Sequence, residues 1–166
     1  MNGGRQIQLH LLRHANAGDP LKWAGPDTVR PLSENGRQQA ERMGRFLAAA
    51  RFQPDAILSS PKARALETAR LVAAALGLDV VVNDALAGPL SLETLDDLLT
   101  SAGDPQRPLL VGHDPEFSEL AAALTGVAEL PIRKGALVRI DAARPLGEST
   151  GILRWLVPPD LLAAAE

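Results

Sequence analysis

Residues 9–15 read Leu-His-Leu-Leu-Arg-His-Ala, and Asn16-Ala17-Gly18-Asp19-Pro20 directly behind them stops any regular structure. An apolar run this short, bounded by turn residues, reads as a buried strand over residues 6–13. Strands that are apolar on both sides lie in sheets covered above and below, so helices are expected on both faces. The end of this strand carries Arg13 and His14 to the rim of the sheet.

The rest of the chain supplies those helices. Ser33 is placed to cap a helix running to Arg51, with Ala40, Met43, Phe46, Leu47 and Ala50 as its apolar stripe. Residues 55–60 read as a second strand. Pro61 then opens a helix over residues 62–76, with Ala65, Leu66, Ala69, Leu71, Val72 and Ala75 inside and Gly77 as its C-cap. Residues 79–82 form a third, β-branched strand, and residues 83–89 a loop. Ser91 caps a helix over residues 92–101 with Leu95, Leu98 and Leu99 inward. Residues 108–113 repeat the opening pattern, an apolar strand ending in a histidine, His113. The next helix turns Phe117, Leu120, Ala121 and Leu124 inward and stops at Gly126. Residues 135–140 and 152–157 alternate like half-exposed strands forming an edge pair, and residues 161–165 form a last helical turn. Strands alternating with helices predict a three-layer α/β/α sandwich with a mostly parallel central sheet, one domain over residues 1–166.

Composition narrows the function. A net charge of −3 and an aromatic fraction of 3% leave neither the basic face nor the stacking rings of a nucleic-acid binder. With no cysteine, disulfides and thiolate metal sites are excluded. No apolar run approaches a membrane span, and residues 1–6 lead straight into the first strand, so the expected location is cytoplasmic, with no membrane partner.

In mainly parallel sheets, ligands bind beyond the carboxyl ends of the strands. Three loops meet that description: Arg13-His14, residues 59–64 with Arg64, and Gly112-His113-Asp114. An arginine in a helix's first turn faces the positive end of the helix dipole, which favours an anion beside it. Arginine grips phosphate oxygens in pairs while a neutral imidazole offers a lone pair for attack on phosphorus. His14, His113 and Asp114 are a poor metal set, because the arginines beside them repel a cation. His10 reads as a hydrogen-bonded core residue, and Trp23 and Trp155 as packing residues. Asn16 and Ser59 are polar enough to touch phosphate, and Arg30 either adds positive field or pairs with a carboxylate.

Four segments, in order, resemble the histidine phosphatase superfamily and its short SixA-like phosphohistidine phosphatases. They are Leu11-Leu12-Arg13-His14-Ala15; Arg30-Pro31-Leu32-Ser33 with Gly36; Ser59-Ser60-Pro61-Lys62-Ala63-Arg64-Ala65-Leu66-Glu67-Thr68-Ala69; and Val111-Gly112-His113-Asp114-Pro115. The resemblance implies a phosphoglycerate mutase-like fold and a metal-independent phosphatase with no cofactor. It makes His14 the nucleophile that becomes a phosphohistidine, with Arg13, Arg64 and His113 binding the phosphoryl oxygens. Two fixed guanidiniums also favour a neutral, attacking imidazole. The second ring nitrogen of His14 needs an acceptor, for which a backbone carbonyl of the turn is suited.

Two departures from the family pattern bear on mechanism. Its glycine after the histidine is Ala15 here, which fits only where φ is negative. Its acidic residue in the loop after the third strand is missing; Asp84 is the nearest carboxylate, with Glu93 and Asp114 as alternatives. A protonated imidazole leaves without help from an acid, whereas an alkoxide does not. The expected partner is therefore a phosphorylated protein carrying phosphohistidine. A small phosphate ester is the second choice, and a non-catalytic phospho-residue binder with the same fold the third.

Overall fold

The computed structural model describes residues 4–165. Six strands form one sheet in the order β3-β2-β4-β1-β5-β6: β1 (Arg5–Arg13), β2 (Ala56–Ser59), β3 (Val81–Val82), β4 (Pro108–Gly112), β5 (Leu137–Arg144) and β6 (Ile152–Val157). The first four in that order run parallel, whereas β5 is antiparallel to both β1 and β6. The sheet is thus mixed, with its parallel part where the site lies.

Five helices cover it: α1 (Glu34–Ala49), α2 (Ala63–Leu76), α3 (Leu92–Ser101), α4 (Glu116–Thr125) and α5 (Pro159–Ala164). The alternation of β1 divides them. Leu9 and Leu11 face α3 and α4 in a cluster with Leu95, Leu99 and Phe117. Leu12 faces α1, α2 and α5 with Met43, Val72 and Leu162. This is the expected three-layer sandwich, and each fully buried leucine contributes roughly 1.5–3 kcal/mol through removal of apolar surface from water.

Several local expectations change. Phe46 and Ala50 are exposed, because the buried stripe of α1 is Gly36, Ala40, Met43, Gly44 and Leu47. The stripe turns that way because α2 comes close at Gly44, where a Cβ would sit 2.9 Å from Ala75. On α2, Arg64, Thr68 and Ala73 replace Leu66, Leu71 and Ala75 among the buried residues. Two polar side chains thus occupy its inner face, invisible to a count of apolar spacing. The strand expected over residues 79–82 shrinks to Val81–Val82 at the exposed edge. β5 runs from Leu137 to Arg144 and lies inside the sheet, pairing eight residues with β1. Only β6 is an edge.

The capping chemistry places the helices where the sequence puts them. The Ser33 side chain accepts from the Gly36 N–H, Ser91 and Thr94 form a capping box, and Gly77 and Gly126 end α2 and α4 in the left-handed conformation.

Candidate active site

The parallel order β2-β4-β1 makes the three strand-end loops neighbours. Beyond the last paired residues, His14 N–H donates to the Gly112 carbonyl at 2.9 Å and Ser60 N–H to the Val111 carbonyl at 3.0 Å, which extends the ladder into the loops. Gly135, at φ +78°, tucks its N–H under the end of β1 against the carbonyls of Arg13 and His14. Gly112 lets the ring of Phe117 pack against the strand end, where a Cβ would lie 2.7 Å from it. The backbone delivering both histidines is therefore tied down on several sides.

His14 is 5% exposed and its Nδ1 lies 2.7 Å from the Ala15 carbonyl. A carbonyl only accepts, so Nδ1 carries the proton and Nε2 keeps its lone pair. Burial, and after it the charges of Arg64, Arg13 and Lys134, lower the His14 pKa to about 3. Desolvation, more than the arginines, keeps the ring neutral. Ala15 is fully buried, has no positive φ, and donates its N–H to Thr68 Oγ1. Alanine therefore fits where the family has glycine.

The His113 ring centroid lies 5.3 Å from that of His14, the planes tilted by 55°. Its Nε2 is 2.8 Å from Ser60 Oγ, which also accepts from Lys62 N–H. In the tautomer in which that hydroxyl donates to Nε2, the proton of His113 sits on Nδ1. Burial first, then the neighbouring His14 and Arg64, lower its pKa to about 3.

Arg64 is 6% exposed and reaches Asp27 through Nη1 to the backbone carbonyl (2.9 Å) and Nη2 to the carboxylate (3.0 Å). Arg13 holds Asp114 at 3.3 Å and the Ile132 carbonyl at 2.9 Å through Nη1. Among the described residues, the buried side-chain nitrogens and oxygens without a hydrogen-bond partner are Arg13 Nε, Arg64 Nε and His113 Nδ1. All three lie on residues singled out from sequence; the two arginine Nε atoms are N–H donors, and His113 Nδ1 is one in the tautomer in which Ser60 donates to Nε2. Buried donors without acceptors are costly, about 1–3 kcal/mol each, and an oxyanion is the ligand that would satisfy them.

The carboxylates are arranged differently from expectation. Asp84 is exposed in a short 3₁₀ turn, with no bond to the four residues above. Glu93 lines a cleft between α3, α4 and the β5–β6 connection that includes none of them. Asp114 pairs with Arg13 and accepts from Ser118 N–H and Oγ at the start of α4. A second carboxylate that reaches the site, beside Asp114, is Asp27, from the loop between β1 and α1. It binds Arg64 and, at 3.0 Å, Arg30 Nε, and those hydrogen bonds hold its pKa below the usual carboxylate value. Its loop has no periodicity, so the one clue in the sequence was the question of what Arg30 pairs with.

Arg30 does both things considered for it. It pairs with Asp27, and its charge joins those of Arg13 and Arg64 in lowering the pKa of half-buried Lys134, after burial itself. Lys134 sits in an aperiodic turn before β5 and was not anticipated. Asn16 and Ser59 are engaged within the loops, Asn16 with Ser33 and Gly18, Ser59 with the Ser60 carbonyl. His10 is hydrogen-bonded to the Pro108 carbonyl. No helix among the described residues is long and apolar enough to cross a membrane.

Such a sheet, with basic and imidazole groups at the carboxyl ends of adjacent parallel strands, defines an α/β protein with a cationic rim. Comparison with known proteins narrows the class. The sequence profile of the histidine phosphatase superfamily (branch 1) matches residues 9–88. Phosphohistidine phosphatase SixA of Escherichia coli (strain K12) is 33% identical over 98 residues, 59% of this chain and 52% of that protein. A structure of the protein histidine phosphatase SixA complexed with tungstate superposes with a TM-score of 0.81 at 24% identity, covering 94% of this chain and 99% of that one. The putative phosphohistidine phosphatase SixA from Agrobacterium tumefaciens superposes at 0.73 with 29% identity, covering 92% and 98%. The chain belongs to the histidine phosphatase superfamily, branch 1, and is SixA-like within it. Its fold is phosphoglycerate mutase-like.

Proposed function

We propose that this chain is a phosphohistidine phosphatase that works through a phosphohistidine on its own His14. The observation that carries the reading is the set of three buried, unpartnered nitrogens, Arg13 Nε, Arg64 Nε and His113 Nδ1, that accompanies a neutral imidazole. In the first step, His14 Nε2 attacks phosphorus and the P–N bond of the substrate breaks. The substrate imidazole departs already protonated. In the second, a water oxygen attacks phosphorus, the bond to Nε2 breaks, and the phosphate leaves carrying both of the water's protons.

Charge on the transferring group spreads over its three outer oxygens, so catalysis rests on donors fixed in place beforehand. Arg13, Arg64 and His113 Nδ1 supply them. These residues provide the charge neutralisation, and no step calls for a metal. Asp27 is held ionised by Arg30 and Arg64, an unfavourable state for donating a proton. That favours a leaving group needing none, and hence phosphohistidine on a protein over a sugar phosphate. The related SixA proteins named above carry that activity in their names, which supports the same choice.

The test is a pre-steady-state assay with an activated aryl phosphate. Wild type should show a burst of phenol and retain acid-labile phosphate on the protein, and His14→Ala should show neither. A His14→Ala variant with full turnover overturns the mechanism. Faster turnover of 3-phosphoglycerate than of a phosphohistidine-bearing protein overturns the substrate assignment, and tight phosphate binding without turnover would make the chain a binder.

A further inference from the structure

On the face of the sheet shared with α1 and α5, a second cleft of about 450 Å³ opens beneath Leu47 and Val157. Its composition is unlike the rest of the molecule. Of the chain's three Phe and two Trp, it takes Phe46, Phe52 and Trp155, and His10 joins them. The His10 ring meets Phe52 edge-on at 4.7 Å and Trp155 at 5.8 Å with a 45° tilt. Acidic residues outnumber basic ones in the chain, 20 to 17, yet the lining holds Arg51, Arg107 and Arg139 and no carboxylate.

Arg139 is committed to Asp141, through Nε at 2.8 Å and Nη2 at 3.1 Å. Arg51 and Arg107 are exposed and have no ion pair among the described residues. His10 donates from Nδ1 to the Pro108 carbonyl, at 3.2 Å, so its Nε2 is an acceptor. The cleft therefore offers aromatic faces, one buried acceptor and two unneutralised guanidiniums. Its volume lies within the range of small-molecule sites. β1 rises about 3.3 Å per residue, which puts His10 roughly 13 Å along the strand from His14.

We propose that this cleft is a second ligand site, separate from the His14 centre, for a planar aromatic anion the size of a mononucleotide. The ring stacks among Phe52 and Trp155, an amino group on it donates to His10 Nε2, and the phosphate or carboxylate meets Arg51 and Arg107. The proposal goes beyond the phosphatase reading and does not depend on it.

The full chain with Trp23→Phe leaves Trp155 as the sole tryptophan, so its fluorescence reports the cleft. AMP is the probe. A saturable change with half-saturation below about 1 mM is expected, with adenosine and ribose 5-phosphate each binding more weakly. Arg107→Gln and Arg51→Asn leave the core untouched, and each should weaken AMP about 2- to 5-fold. Binding should persist in Arg64→Ala and in saturating tungstate. No saturable change, or ribose 5-phosphate matching AMP, overturns the proposal. So does loss of AMP binding in Arg64→Ala with Arg107→Gln unaffected, which would put AMP at the His14 centre.

Discussion

Asp27 holds Arg64 at both ends of its guanidinium fork, carbonyl to Nη1 and carboxylate to Nη2, and leaves only Nε unpaired. The same carboxylate holds Arg30. A loop acid therefore orders the arginine assigned to phosphate and also places negative charge beside the incoming oxyanion. Asp27→Asn keeps the backbone contact and removes the charge. Tungstate or phosphate should then inhibit about 3- to 10-fold more tightly, matching the ~1 kcal/mol scale of half-exposed charge pairs. Weaker inhibition in Asp27→Asn would mean that ordering Arg64 outweighs the repulsion.

In the proposed reaction Ser60 acts through His113. Its hydroxyl, fully buried, links Lys62 N–H to His113 Nε2, and by donating to that nitrogen it would keep the proton on Nδ1. Ser60→Ala leaves Nε2 without its partner, at a cost of about 1–3 kcal/mol, which corresponds to a loss of about 5- to 150-fold in kcat/KM where it falls on the transition state. A merely structural role would not alter the tautomer. ¹⁵N NMR of labelled histidine should show His113 changing from the Nδ1–H form to a mixture, and an unchanged spectrum with unchanged kcat/KM would remove Ser60 from the mechanism.

The sequence carried more of this site than of its surroundings. His14, His113, Arg13 and Arg64 were legible because each stands at a strand end or in a first helical turn, where periodicity stops and polar residues have no packing reason to be. Helices α3 and α4 were legible to the residue on their inner faces, since Leu95, Leu98, Leu99, Phe117 and Leu124 sit at clean helical spacing. The loop carrying Asp27 was not, because its contacts with Arg64 span 37 residues and leave no local pattern. β5 was misplaced as an edge for a similar reason: its partner is β1, more than a hundred residues earlier, and chain order favours pairing with the neighbouring β6.

Gly36 shows how the segment after Arg30 supports the proposed nucleophile. Glycine to alanine inside a helix ordinarily stabilises by roughly 0.5–1 kcal/mol. Here a methyl would collide with the Asn16 carbonyl, two residues after His14, which also accepts from Ser33 N–H and Oγ. Backbone cannot yield as a side-chain tip can. Gly36→Ala should therefore lower stability by about 1–3 kcal/mol and slow turnover as the His14 loop shifts. A variant as stable and active as wild type would show that the loop has slack.

Stability should also fall on mild acidification, because all three histidines are buried as neutral rings. Burial lowers the pKa of His10 to about 4 and of His14 and His113 to about 3, whereas the unfolded chain binds protons at about 6.5. Between those values the unfolded state holds more protons, so the contribution is complete above pH 6.5 and is lost as pH falls. Each ring adds a slope of about 1.4 kcal/mol per pH unit in that window. The carboxylates held below their usual pKa, Asp27, Asp104 and Asp141, act only below about pH 4. Urea unfolding between pH 5 and 6.5 therefore isolates the imidazoles. His10→Gln should reduce the slope by about one third, and a midpoint that does not move over this range would show that these rings take up protons while folded.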